Sequence, residues 1–314
     1  MDLLKEAHIN KKRKAPFYYK FISLFSVVRG YNILVMLLAQ VLSAIFVFAP
    51  NKPLSSILFD YKLWALLIAT AAVVSGGYII NHFYDRGKDS INRPIKTKID
   101  TYISQRTKLY SYFVLNFLGL GFGSLVSWRA SLFFSVYIFL IWFYSHKLKR
   151  FALTGLFGGA LLTLLPFFAV FAFYKNISEF ILAHAAFLFF ILLIRELIKD
   201  LENLKGDMLF NYETIVVKYG EHFTRLLIVL IIFLTLIPIF YLVQFPEIGY
   251  MKYYFVFVLF GLTIVGVLVW FGKSKKHYLF LHNLMKVIIV TGILSLMFLD
   301  TSVIIERILH QITN

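Results

Sequence analysis

The sequence predicts an all-α integral membrane protein of nine transmembrane helices, two four-helix pseudo-repeats plus a ninth helix around a central cavity. Three observations carry this prediction. First, 60% of the 314 residues are apolar and only 15% are charged, whereas soluble domains are about half apolar and about a quarter charged. The apolar residues also fall in long runs. Second, Lys and Arg are unevenly divided between alternate connections. Third, two unusually polar segments each follow a span, and they lie four spans apart.

A helix needs roughly 20 mostly apolar residues to cross the hydrocarbon core. Nine segments qualify, at 31–49, 63–84, 107–125, 130–145, 151–173, 178–196, 222–243, 252–271 and 280–300. The basic, then apolar start up to Phe21 lacks a small-residue cleavage site. It reads as a retained cytoplasmic tail with an interfacial helix at Phe17 to Val28. The domains are therefore a tail and interfacial helix at 1–30, a nine-span domain at 31–300, and a short non-cytoplasmic tail at 301–314. Pro166 and Pro238 fall mid-span and predict kinks.

With the N-terminus inside, 25 of the 32 Lys and Arg residues lie on the cytoplasmic side and 6 on the other, with Lys286 inside the last span. That asymmetry orients the chain in an inner (plasma) membrane with its N-terminus and polar segments cytoplasmic. The net charge of +16 is accounted for by orientation and by anionic lipid head groups rather than nucleic acid. Nothing in the sequence points to a protein partner. The absence of cysteine excludes disulfides, iron–sulfur clusters and thiolate zinc sites.

The first polar segment carries Asn81, Asp85 and Asp89 at intervals of four, so they form one helical stripe. The second carries Glu196, Asp200, Asn203 and Asp207, again one face if the helix persists through Gly206, with Glu202 pointing elsewhere. Carboxylates this close repel each other, and near a membrane core they need a neutralising partner. A solvated helix end paired with Lys and Arg would account for either stripe alone. Two stripes on the same side, at the ends of corresponding spans, point instead to a shared site. Magnesium prefers one or two carboxylates with water and phosphate oxygens, so facing stripes could hold two such ions with a diphosphate between them.

The run from Asn81 to Pro94 resembles the first aspartate motif of the UbiA superfamily of membrane prenyltransferases, which ends in Asn-Arg-Pro. The run from Arg195 to Asp207 is similar to the second motif. Tyr144 to Arg150 resembles the segment after the family's fourth span, and Arg29-Gly30-Tyr31-Asn32 the pair that opens its first. The wording of the second motif looks most like the branch that makes digeranylgeranylglyceryl phosphate. This sequence departs from the family pattern at Ile95 to Asp100, which usually reads as a proline-containing loop, and at Asn203, where many relatives carry Asp.

The resemblance implies magnesium-dependent transfer of a polyprenyl group, here geranylgeranyl, from its diphosphate to a lipid acceptor, geranylgeranylglyceryl phosphate. It makes Asp85, Asp89, Asp200 and Asp207 the catalytic metal ligands, with Asn81 and Glu196 beside them. Arg93, Lys149, Tyr144 and Lys88 become candidates for the diphosphate, and Arg29, Asn32, Ser145 and Asn203 for other substrate contacts. An aromatic or ring acceptor, as in quinone biosynthesis, is the alternative. A more distant one is an ion-coupled transporter, whose acids belong near the membrane midplane rather than at helix ends. Gly119, Gly121 and Gly123 read as close helix packing rather than a dinucleotide loop. Lys286 reads as snorkelling to the cytoplasmic face or meeting substrate.

Overall fold

A computed structural model of the protein describes residues 16–272 and 274–299. The basic tail before Pro16 and the tail expected at 301–314 lie outside the described residues. Among these, nine helices are long and apolar enough to cross a membrane. A helix, α1 (Phe17–Val27), stands where the interfacial helix is expected, and it exposes Tyr18, Phe21 and Phe25. Arg29, in the left-handed conformation with φ 51°, turns the chain sharply into α2 (Gly30–Ser43), which continues as a π-turn to Phe48. A short α3 (Leu54–Leu58) leads to α4 (Tyr61–Asn92), capped by the Asp60 carboxylate on the Lys62 N–H at 2.9 Å.

Helix α4 has 32 residues, or about 48 Å of helix, while the hydrocarbon layer is about 30 Å thick. Its last turns, carrying Asn81, Asp85 and Asp89, therefore extend beyond the apolar span. Where the family pattern would place a proline-containing loop, the chain forms α5 (Pro94–Asp100), with proline at the first turn. Asp100, its last residue, is buried, 2.8 Å from Lys96 and 3.7 Å from His82, and Lys108 lies 3.1 Å from His82. Next come α6 (Gln105–Val126) and α7 (Trp128–His146), capped by the Ser104 and Ser127 hydroxyls.

A 3₁₀ turn at Leu148–Arg150 leads to α8 (Ala152–Tyr174). Pro166 lies within α8 and has no N–H for the carbonyl of Leu162, one turn back; the Tyr137 hydroxyl donates to that carbonyl at 2.9 Å instead. Helix α9 (Glu179–Leu209) runs through Gly206, as the second stripe requires. The seventh span begins earlier than expected, as α10 (Ile215–Val243). Gly220, with φ 85°, breaks its first turns, so the straight apolar stretch starts near the expected residue 222. Helices α11 (Lys252–Phe271) and α12 (Lys275–Ser295) complete the bundle.

The two motif helices are central. In both α4 and α9, 67% of the most apolar stretch is buried, against 17% in α6 and α7. Helix α4 packs on α6 and α7, α9 packs on α10 and α12, and the two touch each other. Gly119 lies against Val73 and Gly123 against Phe134, which is helix packing, while Gly121 faces open space.

Candidate active site

The C-terminal ends of α4 and α9 meet because Gly206 has no side chain. A Cβ there would sit 2.4 Å from Asn92 Nδ2, and Asn92 uses that nitrogen to donate to the Asn203 carbonyl at 3.3 Å. The Lys275 ammonium donates to the Asn92 carbonyl from the start of α12. The connections after α7 and α9 also join: the Glu213 N–H donates to the Arg150 carbonyl at 2.7 Å, in a single parallel bridge between Phe151 and Glu213. This brings Lys149 and Tyr212, both on connections, to the stripe on α4.

Lys149 Nζ donates to Asp85 Oδ1 at 2.7 Å and to Asn81 Oδ1 at 3.1 Å. The Tyr212 hydroxyl donates to the same Asp85 oxygen at 2.8 Å. Burial first, and then the Asp85 charge, push the Tyr212 phenol above its ordinary pKa, so it remains a donor. Lys88, expected at the diphosphate, lies 3.1 Å from Asp207 Oδ1, with its nitrogen 4.2 Å from the centre of the Tyr212 ring. Asn81, Lys149, Asp85, Tyr212, Lys88 and Asp207 thus form one connected network.

Glu196 is held by Arg195 at 2.9 Å and by Lys199. Asp89 and Asp200 carry no ion pair among the described residues, and both line a cavity of about 440 Å³. Asp85, Asn81, Glu196, Lys88, Arg93, Lys149, Tyr144, Ser145, Asn203, Arg29 and Asn32 line it too, whereas Asp207 does not. Away from the charged end, Val47, Leu162, Phe167, Phe187 and Leu188 line it. The Tyr144 hydroxyl spends its proton on the Gly155 carbonyl at 3.0 Å rather than pointing a free donor at the cavity. Arg29 and Asn32 both meet Tyr78: the guanidinium lies 5.0 Å from its ring centre and the amide donates to its hydroxyl at 3.3 Å. Glu202 points away from the stripe, as expected, and accepts a hydrogen bond from His282 Nδ1 at 2.6 Å.

Three residues of this site escape the sequence pattern. Tyr212 follows the second motif in a connection with no periodicity, Asn92 reads as part of Asn-Arg-Pro, and Lys199 looks like a solvated helix-surface charge. Among the described residues no three carboxylate or imidazole groups already stand in a metal-binding cluster. Lysines sit on Asp85 and Asp207 instead.

Residues 29–287 match the UbiA prenyltransferase family. The digeranylgeranylglyceryl phosphate synthase of Korarchaeum cryptofilum is 26% identical over 250 residues, which is 77% of this chain and 87% of that protein. The synthase of Pyrococcus horikoshii is 29% identical over 217 residues, 68% of this chain and 78% of that one. Among solved structures, a UbiA homolog from Archaeoglobus fulgidus bound to GPP and Mg2+ superposes with a TM-score of 0.63 at 16% identity, covering 87% of this chain and 99% of that chain. A UbiA homolog from Aeropyrum pernix K1 gives 0.64 at 12% identity, covering 83% and 98%.

Proposed function

This chain belongs to the UbiA prenyltransferase family and is an integral membrane prenyltransferase; from that premise we propose that it transfers a geranylgeranyl group from its diphosphate to geranylgeranylglyceryl phosphate, releasing pyrophosphate and depending on magnesium. The observation that carries this reading is a single cavity with both carboxylate stripes at one end and apolar walls away from it. The charged end suits a diphosphate and the apolar walls suit its hydrocarbon chain. The relatives' names and the GPP and Mg2+ in the A. fulgidus structure agree with it. The excess of positive residues around this end supports a cytoplasmic orientation in the plasma membrane.

The residues fit a magnesium ion. Asp89 and Asp200 are unpaired among the described residues and line the cavity, and Asp85 takes both its partners on Oδ1. One or two carboxylates completed by water and phosphate oxygens are what magnesium prefers. Asp85, Asp89 and Asp200 would hold it, directly or through water, with Asn81 and Glu196 beside them, and when bound it would neutralise the charge that develops on departing pyrophosphate.

The chain's own residues do the rest. Lys149 and Tyr212 fix the Asp85 carboxylate in one orientation. The bond between C1 of the prenyl chain and the diphosphate oxygen breaks. The acceptor hydroxyl oxygen bonds to C1 and gives up its proton to water or to the departing pyrophosphate. Arg29, Arg93 and Lys286 also line the cavity, and none has a carboxylate at ion-pair distance among the described residues. Cations in that position favour an acceptor that carries a phosphate dianion over a ring that carries one carboxylate or no charge.

The test is purified protein in lipid nanodiscs with radiolabelled geranylgeranyl diphosphate, offered geranylgeranylglyceryl phosphate and 4-hydroxybenzoate separately. Label is expected in the phospholipid product. Label entering the aromatic acceptor alone would replace this reading with a ring prenyltransferase.

A further inference from the structure

The four catalytic aspartates expected from the sequence are not equivalent in the fold. Asp85, Asp89 and Asp200 line the cavity, and Asp207 does not. Its side chain is 1% exposed, and the Lys88 ammonium, which does line the cavity, lies 3.1 Å from it. Lys88 is fixed from a second direction by the face of Tyr212, 4.2 Å away. A divalent ion on Asp207 would have to share this volume with an ammonium already there, and the two would repel strongly in a buried setting. The preceding position of the stripe, Asn203, is neutral. Asp200 is therefore the one member of that stripe that offers the cavity a carboxylate free of an ion pair among the described residues.

The two lysines of the network also differ. Lys149 and Tyr212 both bind Oδ1 of Asp85, and Oδ2 of that cavity-lining carboxylate remains for another partner. Lys88 lines the cavity, whereas the carboxylate it pairs with does not.

We propose that Lys88 is a resident cation that takes the place of a second metal, so that this chain binds a prenyl diphosphate with one divalent ion and one fixed ammonium. The inference rests on the reading of the cavity end as a diphosphate site. Asp207 then acts through Lys88: it is a positioning residue that fixes where the ammonium stands. Asn203 costs nothing at such a site, because the charge it lacks would have served a second ion. An ammonium presents N–H donors to phosphate oxygens and a single charge, so the diphosphate is clamped by unlike partners on its two sides.

The experiment counts ions directly. Manganese serves as the probe with the non-reactive geranylgeranyl S-thiolodiphosphate, read by electron paramagnetic resonance and by calorimetry on the full chain in detergent. The wild type is expected to bind one Mn2+ per chain with the analogue. Lys88→Arg, which keeps the charge, should also bind one. Lys88→Met combined with Asn203→Asp should bind two, and Lys88→Met alone should lose about tenfold in analogue affinity or gain a second ion. Two ions on the wild-type chain overturn the proposal, and this count stands even where a variant does not fold. So does a folded Lys88→Met chain that keeps one ion and unchanged affinity. If the wild type binds no analogue in any metal, the diphosphate reading falls first and the proposal with it.

Discussion

The Tyr212 hydroxyl donates to Asp85 Oδ1 over 2.8 Å, joining residues 127 positions apart. Tyr212 stands on the connection after α9 and Asp85 on the last turns of α4, so this bond ties the two motif segments together. Removing it with Tyr212→Phe leaves Asp85 with Lys149 alone. A hydrogen bond to a charged group contributes roughly 1.5–3 kcal/mol, so kcat/KM should fall about ten- to a hundredfold. Steady-state kinetics on the purified variant check this, and unchanged kinetics would take Tyr212 out of the site.

Metal removal should be reversible. With EDTA, transfer should stop, and excess Mg2+ should restore it, because Asp89 and Asp200 cannot hold a diphosphate without a cation between like charges. Product formation followed by thin-layer chromatography suffices. Full turnover in chelator would end the metal assignment.

Topology can be read on single-cysteine chains, since the protein has no cysteine of its own. Ser90→Cys should react with an impermeant maleimide from the cytoplasmic side, and Ser56→Cys from the opposite one. The prediction follows from the distribution of Lys and Arg. Both sites labelling from one face would contradict the proposed orientation and the odd number of spans between them.

Asp85→Asn and Asp207→Asn should each lower kcat/KM by roughly a hundredfold, and the double variant should be hardly worse, as expected for groups that act as one unit. The shared elements are Tyr212 and Lys88, which link the two carboxylates. Multiplicative losses would show that the stripes work independently.

Gly206→Ala tests the close approach of α4 and α9. The new Cβ would meet Asn92 at 2.4–2.6 Å. Overpacking of this kind costs about 1–3 kcal/mol, visible as a lower melting temperature in detergent. Asn92→Ala in the same chain removes the obstructing atoms and should recover most of the loss. A double variant as unstable as Gly206→Ala alone would place the strain elsewhere.

Much of the architecture was legible in one dimension. Long apolar runs are a local property, because a helix in a bilayer satisfies its own backbone hydrogen bonds and needs no distant partner to exist. The nine spans and the two acid stripes follow from spacing alone, and Glu202 was separated from its stripe by the same helical arithmetic. The second stripe formed one face only on the condition that the helix persists through Gly206, and the structure meets that condition.

Contacts between segments far apart in the chain were decided only by tertiary structure. Asp85 and Asp207 look alike as members of their stripes, yet one lines the cavity and the other does not, pairing with Lys88 instead. Tyr212 carries no periodic signal, and it reaches Asp85 because Glu213 bridges to Arg150 and fixes the connection. Tyr144 was expected to offer a donor, and its proton goes to a carbonyl eleven residues away. Residue type and spacing show which charges a helix carries. Which of them are neutralised by a lysine and which are left for a substrate depends on how helices pack, since that choice is made by Coulomb attraction over a few ångströms between segments that the sequence keeps apart.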